Sequence, residues 1–395
     1  MTMKKLKTLY LDANGFGKEM IQADTILRGI FRQETGAKPP PFIRRSKRVR
    51  QMFAYLRDAF AMLSYVRDWR EAVLASPNLD VEVVNINNLV ALLGSLAWIQ
   101  KWDLIIVSHA ASGDDMTVLN RVERLLARRR GKLVVFIGNE YDLLDEKIGF
   151  LRETRADYVC SQLPLAAAKY LYGEVSGTTI LEMPHALNPA VYYPIPTIPR
   201  TVDIGFIGDI YWPFVGDQER TLLIRHFEEK GADYGLRCDI RKIRVDRYEW
   251  ATFLRGCHSI IGAESGTYFL TDRGRVLQAA RTYNLDHNRA ATFDEVYERF
   301  FRGQPQISGK SISSRHFEPI GTKTGQILLE GEYNGVLQPE VHYISVRRDL
   351  SDIDQTVERF KDVTYRQRII DQAYDHVMAE HTYARRVARL VATVA

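Results

Sequence analysis

The sequence has little cysteine and no long hydrophobic run. Its three cysteines, Cys160, Cys238 and Cys257, stand far apart, which excludes a disulfide framework and a paired-cysteine metal site and favours a reducing compartment. The apolar run near the N-terminus is too short for a signal peptide, and no stretch of about 20 apolar residues follows. We therefore expect a cytoplasmic protein, soluble or bound peripherally to the inner face of a membrane.

The net charge is also small, at +5 over 395 residues. It is unevenly placed, since residues 36–56 hold six basic side chains and no acidic one. Residues 44–69 combine this charge with aromatic side chains at helical spacing. Two interpretations remain open: a core helix with a solvated basic face, or an interfacial helix that meets an anionic membrane surface. Nucleic acid is not an expected partner, because the remaining chain is not basic and has no nucleic-acid motif.

Short apolar runs alternate with helical patterns along the chain. Leu6–Asp12 predicts the first strand, which ends at a glycine-rich turn containing Gly15 and Gly17. Further strands are predicted at residues 80–86, 102–108, 132–138, 156–161 and 179–183. Continuous apolar strands between helices are typical of a parallel sheet covered on both faces.

Five prolines between Pro184 and Pro199 predict a linker, and the pattern restarts after it. Residues 201–208 predict a strand, and 217–229 a helix. Further strands are predicted at 259–263 and 341–346, a helix or strand-bordering segment at 317–330, and a helical end at 354–394. A chain of this length and pattern predicts two α/β domains.

Several segments resemble GT-B glycosyltransferases. Residues 184–189 (PHALNP) resemble their interdomain connection, and residues 203–209 with Arg220 resemble the first strand and turn of their second domain. Residues 314–318 (SRHFE), followed by Gly321 and Gly325, resemble the donor-binding segment of the glycosyl transferases group 1 and CgeB-like proteins. The resemblance implies an α/β GT-B fold with two Rossmann-like domains facing a central cleft. It implies an acceptor domain at 1–190, a nucleotide-sugar donor domain at 200–375, and a C-terminal helix at 376–395 that packs back on the first domain.

The resemblance implies that Glu318 binds the ribose hydroxyls of a nucleotide-sugar donor. Cations and backbone amides near the diphosphate would stabilise its growing charge, and glycines would admit the backbone close to it. The donor contacts that we predict are Glu318, Arg315, Thr322, Lys323, Thr324, Arg220, Gly15, Gly17, His185 and Glu264. The sequence departs from the family at Lys310, where many retaining members have a glutamate. Ordinary alternatives remain for each residue, such as a surface ion pair for Arg315 or a helix-terminal charge for Glu318.

An inverting enzyme would need a general base near the acceptor hydroxyl. Glu140 is our choice, because it follows the predicted strand 132–138, where open α/β sheets place ligands. Asp142, His109, Asp114 and Asp115 are the other candidates. A retaining enzyme would need no such base, so the stereochemistry stays open. Residues 113–115 are not an Asp-x-Asp motif, and we expect neither a metal nor a cofactor.

The expected function is transfer of a sugar from a nucleotide-sugar donor to a glycan, polysaccharide or lipid-linked acceptor. The alternative is a non-catalytic GT-B-fold binding or scaffold protein, which the lysine at position 310 favours. A two-domain sugar epimerase would also bind a nucleotide-sugar, but it would not explain the SRHFE segment.

Overall fold

A computed structural model of the chain describes residues 5–13, 64–113 and 115–395. They form two compact units. The first contains the described residues up to Ser161, together with residues 172–181 and Val387–Ala395, and the second contains residues 162–171 and 182–386. The domain boundaries predicted at residues 190, 200 and 376 stay predictions.

The first unit is built on a sheet with the strand order β2-β1-β3-β4-β5-β6. Its strands are β1 (Leu6–Asp12), β2 (Leu79–Asn85), β3 (Leu104–Val107), β4 (Lys132–Phe136), β5 (Tyr158–Ser161) and β6 (Thr179–Glu182). The neighbouring pairs from β2 to β5 are parallel. Every residue of β3 is buried, as expected for a central strand of a parallel sheet that is covered on both faces.

Helices connect these strands, and one follows β5. They are α1 (Ser64–Ala75), α2 (Leu89–Ala97), α3 (Thr117–Leu126), α4 (Leu144–Thr154) and α5 (Leu165–Tyr172), of which α5 up to Leu171 belongs to the second unit. Each of α2, α3 and α4 links one strand of the sheet to the next along the chain. This alternation confirms the predicted Rossmann-like pattern of the first half of the chain.

The second unit holds a separate parallel sheet with the order β11-β10-β9-β7-β8. Its strands are β7 (Val202–Ile207), β8 (Cys238–Arg241), β9 (Cys257–Gly262), β10 (Gly325–Leu329) and β11 (Ile344–Val346). Its helices are α6 (Glu219–Lys230), α7 (Arg247–Gly256), α8 (Arg275–Thr282), α9 (Phe293–Phe300), α10 (Ser314–Gly321), α11 (Ile353–Lys361) and α12 (Val363–Glu380). The last helix, α13 (Tyr383–Val394), begins in the second unit, and its residues from Val387 belong to the first. The two Rossmann-like sheets of the expected fold class are therefore confirmed.

A long insert separates β9 from α10. Its ends meet at Ser265 and Ser311, whose backbones exchange two N–H···O bonds of 2.9 Å. Between them, α8 and α9 enclose a small apolar core of their own, which includes Phe269, Val296 and Phe301. The insert meets the sheet at this neck, and it is also bound to the segment before α6, where Thr267 Oγ1 donates to the carbonyl of Val215 over 2.9 Å.

The end of the chain, predicted to be helical over residues 354–394, is helical in the structure apart from two short breaks. It forms three helices, α11 to α13, with breaks at Asp362 and at His381. Asp362 Oδ1 accepts from the backbone N of Tyr365, 2.9 Å away, and so caps the start of α12. Across the described ranges, no helix combines the length and apolar character needed to span a bilayer.

Candidate functional site

The second sheet presents one polar edge, formed by the carboxyl ends of its parallel strands. We call this its carboxyl edge, and the opposite one its amino edge. Asp209 follows β7, Glu264 follows β9, and Arg348 follows β11. Helices α6 and α10 begin at the same edge, because each lies between two parallel strands along the chain. Helix α6 follows β7 and precedes β8, and α10 follows β9 and precedes β10. Open α/β sheets bind ligands here, and helix N-termini favour anions.

The N-terminus of α10 is fixed by His316. The backbone N–H of Ser313 donates to His316 Nδ1 over 3.0 Å, so the opposite ring nitrogen, Nε2, carries the proton and donates to the carbonyl of Ala263 over 3.1 Å. Burial lowers the pKa of His316 to about 4, which keeps the ring neutral at pH 7. A neutral histidine thus ties the start of α10 to the end of β9.

Arg315 and Glu318 share a partner, Trp250 of α7. The guanidinium carbon of Arg315 lies 4.2 Å from the centre of the Trp250 ring. The indole Nε1 of Trp250 donates to Glu318 Oε2 over 2.7 Å, and Glu318 is only 1% exposed. The three side chains form one stack, in which a half-buried cation covers an aromatic ring that is itself held by a buried carboxylate.

Arg220 joins Arg315 at the carboxyl edge. Its Nη2 donates to the carbonyl of Asp209 over 2.6 Å, and its guanidinium carbon lies 3.7 Å from the centre of the Tyr211 ring. Burial lowers the pKa of Arg315, and the charge of Arg220 lowers it further. No described residue accepts a hydrogen bond from the buried Nε of Arg220. The structure thus places one arginine at the N-terminus of each of α6 and α10, at the same edge of the sheet.

Glu264 lies at the same edge but is bound to backbone. Its Oε1 accepts from the N–H of Tyr333 over 2.7 Å, and it is 6% exposed. Burial raises the pKa of Glu264. A Cβ at Gly331 would lie 2.4 Å from its Oε2, so the turn after β10 needs a glycine there. Glu264 therefore fixes the turn that follows β10.

Lys310, the departure from the family pattern, forms a buried ion pair with Asp217. The side chains of Lys310 and Asp217 are 5% and 1% exposed. The Nζ of Lys310 also lies 4.6 Å from the centre of the Tyr268 ring, and Tyr268 donates to Glu219 Oε2 over 2.7 Å. Sequence reasoning did not identify Asp217 as a partner.

The structure does not bring Thr322, Lys323 and Thr324 together with Arg315. They precede β10 and therefore lie at the amino edge, beyond the C-terminal end of α10. Arg200 holds this turn by donating to the carbonyls of Thr322 and Lys323 over 3.0 and 2.9 Å. Thr324 Oγ1 donates to the carbonyl of Leu254 over 2.7 Å, and Lys323 Nζ pairs with Asp371 at 2.7 Å. These contacts indicate that residues 322–324 form a turn with a structural role.

His185 is 3% exposed in the second unit. Burial lowers its pKa to about 3, so the ring is neutral. Two residues later, Leu187 pairs with Thr382 in a bridge. Gly15, Gly17, Asp114 and residues 44–63 lie outside the described residues.

In the first unit, Glu140 follows β4 at the carboxyl edge of its sheet and is 6% exposed. Its Oε2 accepts from Ser161 Oγ over 2.7 Å and from the hydroxyl of Tyr172 over 2.9 Å. Burial and the nearby carboxylate raise the pKa of Tyr172, so that hydroxyl stays a donor. The predicted base is thus a buried, hydrogen-bonded carboxylate.

Lys147 of α4, which sequence reasoning missed, holds the loop that carries Glu140. It is fully buried, and its Nζ donates to the carbonyls of Gly138, Asn139 and Asp142 over 2.6, 2.9 and 2.8 Å. An ammonium group has three N–H donors, and three carbonyls receive them. The loop includes Asn139 with a φ of +48°, a strained conformation that these bonds help to maintain.

The other base candidates have ordinary surroundings. His109 is 2% exposed, with its ring 4.9 Å from that of Phe136. Asp115 Oδ1 accepts from the N–H of Thr117 over 2.7 Å at the start of α3, and Asp142 Oδ1 accepts from the N–H of Leu143 over 3.0 Å. Asp12, at the end of β1, is fully buried and accepts from Ser108 Oγ over 3.0 Å.

Within the described ranges, no group of three His, Cys, Asp or Glu side chains is arranged to hold a metal ion. The expectation that neither metal nor cofactor is needed stays a prediction.

Comparison with known proteins returns likenesses of structure only. No family model and no curated protein matches the sequence. Anabaena HepE in complex with UDP-glucose aligns with a TM-score of 0.48 and 10% identity, over 98% of this chain and 100% of HepE. Sucrose-phosphate synthase from Thermosynechococcus elongatus gives 0.49 and 12%, over 98% and 99%. Trehalose 6-phosphate synthase from Burkholderia multivorans gives 0.45 and 10%, over 99% and 96%.

All three TM-scores lie below 0.5, so the assignment of a reaction depends on this chain's own side chains. Membership of the CgeB-like family stays a prediction. The two Rossmann-like units are established by the strand order itself.

We expect the folded protein to lose stability in acid, because some of its histidines are held neutral by burial. The pKa values of His342 and His381 are both lowered to about 4, mainly by burial, against about 6.5 in an unfolded chain. Between these values the unfolded state binds more protons, so their contribution to stability is complete above pH ~6.5 and is lost as pH falls towards 4. We expect the melting temperature to fall across this window.

The double variant His342→Gln/His381→Gln should flatten the dependence of the melting temperature on pH, whereas His287→Gln, at an exposed position, should leave it unchanged. An equally steep profile in the double variant would contradict this prediction.

Proposed function

We propose that the chain is a glycosyltransferase that moves a sugar from a nucleotide-sugar donor, bound at the carboxyl edge of the second sheet. One observation carries the proposal: Arg220 and Arg315 lie in the first turns of α6 and α10, two helices that begin at this edge. Two guanidinium groups and two helix N-termini suit a diphosphate. The SRHFE segment, whose resemblance suggested the activity, supplies Arg315 and Glu318.

The proposed chemistry needs stabilisation of charge more than covalent participation. As the anomeric C–O bond breaks, negative charge grows on the diphosphate oxygens, and fixed cations lower the barrier by about 3 kcal/mol for each such contact. Arg315 is well placed for this task, because Trp250 and α10 restrict its position. Thr322, Lys323 and Thr324 have no place in this scheme, since they lie at the amino edge.

The proposed role of Glu318 in binding ribose meets a specific constraint. Its carboxylate is 1% exposed and already accepts from Trp250. A role in ordering Trp250 and Arg315 fits these contacts without any movement. Glu140 is kept as the proposed base for an inverting reaction, with its carboxylate oriented by Ser161 and Tyr172.

A non-catalytic binding protein of the same fold is the second candidate. The observation that favours it is the buried pair of Lys310 and Asp217, which stands where many relatives have a free glutamate. Both candidates bind a nucleotide-sugar, but only the first releases a nucleoside diphosphate from it in the presence of an acceptor.

Ligand-induced thermal shift tests the donor site. The full chain is heated with UDP-, GDP-, CMP- and dTDP-sugars, and at least one should raise the melting temperature. Arg315→Ala and Arg220→Ala should each reduce that rise. Arg237→Ala is the matched control, because Arg237 is a 65% exposed arginine paired with Asp203. Lys323→Ala should behave like the control.

Two outcomes would count against the proposal. The absence of a shift with every nucleotide-sugar would reject a donor site altogether. A shift that Lys323→Ala abolishes and Arg315→Ala spares would move the site to the amino edge.

A further inference from the structure

Helix α2 of the first unit exposes a row of apolar side chains. Val90 and Leu93 are 85% and 53% exposed and lie three residues apart on the helix, and Trp98, which follows its last residue, is 72% exposed. Leu92 and Leu96, on the other side, are buried. A surface helix of a globular protein normally presents polar residues outwards, so this outward row of apolar residues needs an explanation.

The next helix along the chain, α3, exposes arginines instead. Arg121, Arg124 and Arg128 are exposed, at spacings of three and four residues, so they share one side of the helix and its C-terminal extension. Leu119 and Val122 are buried on the opposite side.

The two rows lie on the same face of the first sheet. The connections from β2 to β3 and from β3 to β4 step across the sheet in the same direction, and right-handed crossovers then put α2 and α3 on one face. Their C-terminal ends meet, because Gln100 Nε2 donates to the backbone carbonyl of Arg128. Beside this contact, the backbone N–H of the exposed Lys101 donates to the carbonyl of Trp98 over 3.0 Å.

We propose that this surface, made of Val90, Leu93, Trp98, Arg121, Arg124 and Arg128, docks the protein on an anionic lipid bilayer. Apolar side chains and a tryptophan can enter the interfacial layer of a membrane. A neighbouring row of arginines matches lipid phosphates in charge and in bidentate geometry. The apolar row and the arginine row together therefore favour an anionic bilayer as the partner.

Other occupants match only part of the surface. A nucleic acid would use the arginine row and leave the apolar row without a partner. A second copy of the chain, related by a two-fold axis, would bring the same arginines with no acidic row to meet them. None of its residues belongs to the segment 44–69, which the sequence suggested for membrane contact, and its role does not depend on the donor site.

The test is co-sedimentation of the full chain with vesicles. Vesicles of equal parts phosphatidylcholine and phosphatidylglycerol should bind the protein, and pure phosphatidylcholine should bind it much more weakly. Leu93→Ser/Trp98→Ser should weaken binding about tenfold or more. Arg121→Gln, Arg124→Gln and Arg128→Gln should each weaken it about fivefold.

Matched controls are Leu222→Ser and Arg237→Gln/Arg302→Gln, at exposed positions of the second unit. All of these changes are on the surface, so melting temperatures and nucleotide-sugar shifts should stay as in the parent protein. Loss of vesicle binding with an intact donor shift separates this proposal from the proposed function.

Three results would overturn the docking proposal. The first is no binding to anionic vesicles at low salt, or binding that the variants leave unchanged. The second is a dimer, seen by light scattering, that Leu93→Ser dissociates. The third is binding to DNA that the arginine variants abolish while vesicle binding is absent.

Discussion

Asp217→Asn is expected to destabilise the second unit by about 3 to 5 kcal/mol, because it leaves Lys310 as a buried charge without its counter-ion. The change is nearly isosteric. Asp217 Oδ1 also accepts from the N–H of Glu219 over 2.8 Å, and the asparagine carbonyl can keep that bond. The loss therefore reports on charge rather than on packing or helix capping. Urea unfolding, followed both by circular dichroism and by tryptophan fluorescence, would measure it while allowing for two units that unfold separately.

The matched control is the double variant Lys310→Met/Asp217→Asn. Replacement of a buried ion pair by neutral groups of similar size is often tolerated, so most of the lost stability should return. A loss below about 1 kcal/mol in Asp217→Asn would show that the pair behaves like a surface ion pair. In that case Lys310 would be available to a ligand, and its difference from the family glutamate would gain functional weight.

Arg315→Ala is expected to weaken nucleotide-sugar binding roughly 10- to 150-fold, which corresponds to about 1.5 to 3 kcal/mol for hydrogen bonds to a charged group. The loss should appear in the Kd for the donor, measured by titration calorimetry. Arg315→Lys should recover only part of it, since a lysine keeps the charge but not the planar stack on Trp250.

Trp250→Phe tests whether Glu318 acts by ordering Trp250 and Arg315 or by binding the donor directly. The ring under Arg315 remains, but the indole N–H that reaches Glu318 is lost. If Glu318 acts by ordering this stack, Trp250→Phe and Glu318→Gln should weaken donor binding by similar factors, and together they should cost little more than either alone. If Glu318 binds ribose directly, the two effects should add. An unchanged Kd for the donor in Arg315→Ala would show that Arg315 does not contribute to the donor site.

Buried central strands were the features that the sequence predicted best. The strand predicted at Leu6–Asp12 has those bounds in the structure, and its residues from Thr8 onward are buried between two parallel neighbours. The edge strand Cys238–Arg241 was missed. It is polar and partly exposed, so neither an apolar run nor a regular alternation marks it.

Sites were harder to predict, because proximity in sequence does not give proximity in space. Thr322 follows Glu318 closely in the chain, yet an eight-residue helix carries the chain about 12 Å from one edge of the sheet to the other. The sequence offered residues 317–330 as one segment. The structure divides it between the end of α10 and β10, which starts at Gly325.

Partners that are distant in the sequence could not be predicted at all. Trp250 and Glu318 are 68 positions apart, and Asp217 and Lys310 are 93 apart. Only the folded sheet brings such residues together. Arg220 and Arg315 were the part of the site that could be predicted from the sequence, because a basic residue at the start of a helix can be recognised there.

The neck at Ser265 and Ser311 closes the insert between β9 and α10 into a loop. Its two ends are joined by backbone hydrogen bonds, and halving or doubling such an insert changes the entropy of loop closure by only about 0.6 kcal/mol. Its length is therefore weakly constrained, but its first and last residues are not, because Lys310 pairs with Asp217 and Tyr268 donates to Glu219. Any change of the insert that removes these two residues would also remove the support of the segment that carries Arg220.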